Sequence, residues 1–361
     1  MKLTLSMLSL VALCVACNTT QPQKADHRPV VGAIRWDAWH GDKSPVGRAV
    51  ETALGPKQWH YRVPFFGKII SDTQVEIRGY TQKIVDQEIA YARRAGLDYW
   101  AFGLYSTLPA MTEARALYLS SRHKSDINFC LWTDSRDLSS TENLHRIIQL
   151  MREPTYQKVL GNRPLFYFYR GTIDEKGIKL LGNQHRTDEL RRLAQQAGLG
   201  NPYLVLMDFS AAHGKNMAAA LGFDALTSYA CPGSLSGHGT YAALADHTEK
   251  FWEECKATGK EVVPIVMASA DRRPRVEHPM PWERHQKPGV GMDKFYEMPT
   301  PAELTMHLDR ALTWINQNPT AAPAQAVIIY AWNENDEGGW LVPTLSEGTA
   351  RIEAVAKILR K

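Results

Sequence analysis

Ala326-Val327-Ile328-Ile329-Tyr330 runs directly into Ala331-Trp332-Asn333-Glu334-Asn335-Asp336-Glu337-Gly338-Gly339-Trp340. Apolar residues in an unbroken row describe a strand buried on both faces, as in parallel sheets, and not the alternation of a half-exposed strand. The polar stretch that follows places two glutamates three residues apart where the strand opens into a loop, with Trp332 and Trp340 on either side. What such a loop can do depends on how many strands of this kind the chain contains.

Seven more short apolar or aromatic runs precede it: Val30–Trp36, Tyr99–Gly103, Ile127–Trp132, Leu165–Arg170, Tyr203–Phe209, Ala225–Tyr229 and Val262–Ala268. Helical patterns separate them. Thr81–Ala95 repeats Ile84, Val85, Ile89 and Ala92 at helical spacing and stops at Gly96. Met111–His123, Thr141–Met151, Asp188–Ala197, Tyr241–Thr258 and Pro301–Asn316 follow, Asn216–Leu221 is a shorter candidate, and Glu347–Arg360 closes the chain. Eight strands, each followed by a helix, predict a single (β/α)8 TIM barrel over residues 29–361. A doubly wound open sheet is the alternative, but no G-x-G-x-x-G turn follows the first strand. Two connections are far longer than usual, from Asp37 to about Tyr80 and from Ser269 to about Thr300. Both follow strands, which in a barrel places them on the active face.

The same rule turns strand ends into candidate site residues. Asp37, Trp39 and His40 follow the first strand, and Tyr105 the second. Trp132 and Asp134 mark the third, Tyr169 the fourth, Asp208 the fifth and Tyr229 the sixth. Asp271 and Arg272 follow the seventh; Trp332, Asn333, Glu334, Glu337 and Trp340 belong to the eighth. Aromatic and acidic side chains dominate, as expected where sugar C–H faces stack on rings and sugar hydroxyls meet carboxylates. Glu334 and Glu337 form the catalytic candidate pair. On a helical turn, positions three apart lie about 5–6 Å apart at Cβ, compatible with the short carboxyl separation of retaining glycoside hydrolysis. Two such groups split their pKa values, leaving one ionised and one protonated near neutrality. Asp134 and Asp208 read equally as helix caps.

With 44% hydrophobic and 22% charged residues in 361, the chain can bury a large core. A net charge of +4, with Arg272-Arg273-Pro274-Arg275 as the densest basic cluster, gives no nucleic-acid arm. Cys130, Cys231 and Cys255 are odd in number and widely spaced, giving neither a disulfide framework nor a zinc pattern. No His/Asp/Glu trio has metal-ligand spacing, no G-x-S-x-G occurs, and neither metal nor cofactor is expected. Residues 1–17 begin with a positive start, continue through the apolar Leu3–Leu13 and end at Cys14-Val-Ala-Cys17. This resembles a bacterial lipoprotein signal with Cys17 as the lipidated residue; a plain cleaved secretory signal is the other reading. Either means export. Asn18 fits sorting to an outer membrane, with 18–28 as a polar tether and a lipid anchor as the membrane contact.

The motif Trp332-Asn333-Glu334-x-x-Glu337-Gly338, with Leu341 and Pro343, resembles the signature of the glycoside hydrolase family 99-like domain, which includes WbsX-type proteins. Support upstream comes from Asp86-Gln-Glu88-x-x-x-Ala92, Gly96-Leu-Asp-Tyr-Trp100, Phe129-Cys-Leu-Trp132 and Gly161-Asn-Arg-Pro164-Leu-Phe-Tyr-Phe-Tyr169. The resemblance implies a metal-independent (β/α)8 hydrolase of α-linked glycans, mannosides in characterised members. It implies Glu337 as the general acid/base on the leaving oxygen. It implies that Glu334 deprotonates the substrate 2-hydroxyl, which attacks the anomeric carbon to give a 1,2-anhydro intermediate. Asn335-Asp336 departs from the aromatic or small residues common in that family and marks where the pocket differs. The expectation is an exported glycoside hydrolase acting on a polysaccharide or glycoconjugate. The alternatives are a non-catalytic glycan-binding lipoprotein and a cell-envelope polysaccharide assembly protein.

Overall fold

The computed structural model describes residues 28–360, apart from 42, 107, 172–176, 178, 180 and 183–184. The signal segment, Cys17 and nearly all of the tether lie outside the described residues. Eight strand positions form one parallel ring: β1 (Val30–Arg35), β2 (Tyr99–Gly103), β3 (Asn128–Thr133), β4 (Arg163–Tyr169), β5 (Tyr203–Met207), β6 (Ala225–Thr227), β7 (Glu261–Val262 and Ile265–Met267) and β8 (Ala326–Tyr330). Each pairs in parallel with its sequence neighbour, and β1 pairs with β8, Val30 opposite Ala326.

Closure runs through β7, which is in two pieces because Pro264 interrupts it and has no amide hydrogen to give. Glu261–Val262 pairs with β6 and Ile265–Met267 pairs with β8. Across the break the Val263 amide donates to Leu226 (3.0 Å), and the Pro264 carbonyl accepts from the Ile328 amide (3.1 Å). The predicted (β/α)8 barrel is the observed fold. Its strands are fully buried over most of their length, which is why they read as continuous apolar runs.

The helices begin and end where local chemistry dictates. Gln82–Ala95 starts at Thr81, whose hydroxyl accepts from the Ile84 amide, and ends at Gly96 with φ 80°. Pro301–Gln317 opens with a capping box between Thr300 and Glu303. The helix expected from Asn216 starts five residues earlier, at Ala211, capped by Ser210. Gly214 weakens the helical signal there and packs tightly, since a Cβ would stand 3.2 Å from that of Asp208. Glu113–Ser120 and Ala350–Leu359 are shorter than their sequence patterns.

The long connection after β1 is not a bare loop. It folds as a helix (Pro45–Leu54), a 3-10 segment (Lys57–Arg62) and an antiparallel hairpin (Gly67–Ser71 with Gln74–Ile77) over its own small core of Trp39, Val50, Leu54, Trp59 and Val63. The connection after β7 carries the short helix Arg273–Glu277. Both converge on the loop after β8.

Candidate active site

Immediately beyond β8 several backbone and side-chain bonds tie the chain to β1 and the segments that follow it. The Trp332 amide donates to Ile34 (2.7 Å), and its indole N–H to Glu88 Oε1 (2.8 Å). Asn333 accepts from the Trp36 amide (2.8 Å) and donates to Asp37 (3.1 Å). Asn333–Glu334 then pairs antiparallel with Gly339–Trp340 around a single 3-10 turn, Asn335–Glu337. In 3-10 geometry residues three apart eclipse one another. Glu334 and Glu337 therefore stand on the same side.

Arg275, from the short helix after β7, binds the whole turn. Its Nε donates to Asp336 (2.6 Å), Nη1 to Glu337 and Glu283 (the latter 3.3 Å), and Nη2 to Glu334 (3.3 Å). Its guanidinium lies 4.8 Å from the centre of the Trp36 ring. Arg272 adds a second contact to Glu337 (3.2 Å) and pairs with Glu283. Tyr330, the last residue of β8, donates to Glu337, and Tyr229 donates to Glu334 Oε1 (2.5 Å).

These partners divide the pair. Burial, reinforced by the charge of Glu337, raises Glu334 well above the ordinary carboxyl range, and the longer contact to Arg275 does not offset this. Burial pushes Glu337 upward too, but Arg275, Arg272 and the Tyr330 hydroxyl outweigh it and lower it. The two shifts run in opposite directions, Glu334 up and Glu337 down. The family resemblance implies the proton donor at Glu337.

Tyr105, Trp132, Tyr169 and Tyr229 form a continuous aromatic wall beside the pair. Ring centres are 5.5 Å apart from Tyr105 to Trp132, 5.2 Å from Trp132 to Tyr229 and 5.0 Å from Tyr169 to Tyr229. Burial and the neighbouring Glu337 push the Tyr169 hydroxyl up to about 12. Arg272 stands at the mouth, 46% exposed.

Several expected sugar contacts are buried or already bonded within the protein. Trp332 and Trp340 are both 0% exposed. Trp340 packs between Arg351 and Arg62, so neither indole presents a free face. Trp39 and His40 are buried, with His40 Nε2 bonded to Glu88 (2.9 Å). Asp37 is taken by Arg35 and Asn333, and Asp271 by Arg62 and Arg273. Asp134 caps Ser135–Ser139 by accepting from the Arg136 and Asp137 amides. Asp208 is bonded to the Ser210 amide, His213 and Arg170. Asn335 and Asp336, expected to reshape the pocket, are fully buried, and Asn335 donates to the Arg62 carbonyl (2.7 Å).

Sequence reasoning missed Arg275, Glu283, Tyr330 and Glu88. Arg275 had a usable signal, an Arg-rich tetrad inside a long loop after strand seven. Tyr330 had one as the final residue of strand eight. Glu283 had none. Among the described residues no group of three His, Cys, Asp or Glu side chains is arranged to hold a metal ion, and no helix is long and apolar enough to cross a membrane.

An eight-stranded barrel whose last strand delivers two carboxyl groups into an aromatic-walled mouth has the architecture of the (β/α)8 glycoside hydrolases. The chain belongs to the family described as glycosyltransferase WbsX, whose family model matches residues 123–355. Two solved structures of the family 99 endo-alpha-mannosidase from Bacteroides thetaiotaomicron share the fold. One, in complex with bis-tris propane, superposes with a TM-score of 0.58 at 12% identity, covering 92% of this chain and 97% of that one. The other gives 0.53 at 12% identity, covering 91% and 95%. At that identity the likeness is one of fold. A search of curated proteins finds no match.

Proposed function

We propose that this protein is an exported, retaining glycoside hydrolase that cleaves α-linked glycans of a polysaccharide or glycoconjugate through Glu334 and Glu337. The carrying observation is the pair itself, two carboxyl groups on one turn that share Arg275 beside an aromatic wall and are shifted in opposite directions. Glycoside cleavage needs one group to give a proton while another takes one. The fold shared with endo-alpha-mannosidases makes α-mannosides the first substrates to try.

In the proposed sequence ionised Glu334 takes the proton of the sugar 2-hydroxyl as O2 attacks the anomeric carbon. The bond from that carbon to the leaving oxygen breaks, and Glu337 gives that oxygen its proton. Water, deprotonated by Glu337, then attacks the same carbon and opens the three-membered ring. O2 recovers its proton from Glu334. One water is consumed, and two inversions leave the configuration retained. Glu334 is the member of the pair shifted upward, so the sequence requires bound substrate to favour the proton on Glu337.

A glycosyl fluoride tests the allocation, because fluoride departs without a proton. Glu337→Gln should still release fluoride from α-mannosyl fluoride in the first turnover while losing cleavage of α-mannan, and Glu334→Gln should lose both. The opposite pattern gives the opposite roles. If wild type releases product from no glycan yet binds several, the chain is the glycan-binding alternative.

The family description favours a second reading, in which a sugar hydroxyl replaces water in the second step and the protein transfers glycosyl groups during polysaccharide assembly. Mass spectrometry separates the two: transfer lengthens some chains, whereas hydrolysis only shortens them. For export, palmitate labelling that disappears in Cys17→Ser identifies a lipid anchor.

A further inference from the structure

Most of the exposed large apolar side chains stand on loops that follow barrel strands, and the exceptions are Leu160 and Met306. Two of those at the mouth are aromatic, Phe209 at 48% exposure and Trp282 at 44%. Phe209 lies two residues beyond β5. Trp282, on the loop after β7, packs edge-on against Trp36 just beyond β1, with ring centres 5.9 Å apart. In a ring of eight, β1 and β5 are four strands apart in either direction, so the two exposed rings stand on opposite rims.

Each rim connects inward to the carboxyl pair. Trp282 rests on Trp36, whose ring carries the guanidinium of Arg275, the ligand of both glutamates. Phe209 rests on Tyr169 (6.1 Å) and Tyr169 on Tyr229 (5.0 Å), which bonds Glu334. Arg272, 46% exposed, pairs with Glu283 next in sequence to Trp282, and His213, 43% exposed, pairs with Asp208 next to Phe209. Between the two rings lie carboxyl groups and tyrosine hydroxyls, the pattern that suits separate sugar residues of one chain.

We propose that Trp282 and Phe209 are stacking platforms at the two ends of a cleft crossing the barrel mouth, which grips a glycan by sugar residues on both sides of Glu334 and Glu337. This rests on the functional reading above and extends it to the length of the bound chain. An array of α-linked glycans graded from disaccharide to hexasaccharide, including manno-oligosaccharides, is probed with Glu337→Gln protein, which binds without cleaving. Binding should rise steeply up to about four sugars. Trp282→Ala and Phe209→Ala, added singly, should each weaken the longest chains about tenfold while leaving the disaccharides unchanged, and Trp282→Phe should recover most of the loss. Both rings are exposed, so thermal unfolding should stay at the parent value and exclude misfolding as the cause. Affinity independent of length, or unchanged in both alanine variants, overturns the platforms and leaves the hydrolase reading standing. A protein that binds no glycan in any form overturns both.

Discussion

Two charge clusters share the loop after β8, and their composition differs in one respect. Around Glu88 the acids Asp37 and Glu88 face Arg35 and His40. Arg35 bonds Asp37 at 2.8 Å and Glu88 at 3.1 Å, and Trp332 adds a donor to Glu88. Burial pushes Glu88 upward, but Arg35 and His40 overcome it and bring its pKa down to about 2. A few residues on, Glu334, Asp336, Glu337 and Glu283 share only Arg275 and Arg272. Where bases match acids, the acid stays charged and the cluster locks β1, the helix Gln82–Ala95 and the β8 loop together. Where acids outnumber bases, burial and the neighbouring carboxylates raise one of them, Glu334, above its ordinary range.

The strongest test of that division is Glu337→Gln, expected to cut turnover by about 10²–10⁴-fold with binding retained. Glu88→Gln should leave the pH dependence of turnover in place; if it removes turnover without changing stability, the division is broken. Arg275→Met comes next. It strips the crowded cluster of its main base, and losing one partner of a buried ion pair costs about 3–5 kcal/mol, readable by urea unfolding. Glu337 is held below its ordinary value, so its stabilisation is complete above that value and fades as pH falls through the lowered one. In Arg275→Met that fading, and the acid limb of the pH–rate profile, should both move to higher pH.

For the balanced cluster, a shift of Glu88 from 4.5 to about 2 corresponds to on the order of 3 kcal/mol. That stability is present above pH 4.5 and lost as pH falls toward 2. Glu88→Gln should show a flatter unfolding curve across this window. The smallest effect belongs to a residue outside both clusters. Asp134→Ala removes a helix cap, worth about 1 kcal/mol, with turnover unchanged; a loss of turnover would return Asp134 to the substrate.

The barrel was legible because strands buried on both faces leave unbroken apolar runs, even at β7, where Pro264 splits the pairing without changing the pattern. The two glutamates were legible because strand order put them on the active face. The flanking tryptophans misled for a geometric reason. Asn333 pairs with Trp340 in a two-residue ladder whose side chains turn inward, so adjacency in sequence became burial. Arg275 reaches Glu334 across 59 residues, and Glu283 reaches Arg275 through an irregular loop. Contacts of that kind leave no periodicity to read. The departure at Asp336 acquires a meaning that spacing could not supply: it is the counter-charge that brings a guanidinium into the site.

Gly338 adopts φ 90°, and a Cβ there would lie 2.5 Å from the Asp271 backbone nitrogen. That nitrogen donates to the Glu337 carbonyl (2.8 Å). The turn bearing the glutamates and the loop bearing Arg272 and Arg275 are thus welded where no side chain fits. Any redesign of the loop for a new sugar has to keep that seam closed, or the guanidiniums drift from the carboxyls and Glu334 and Glu337 lose what sets them apart.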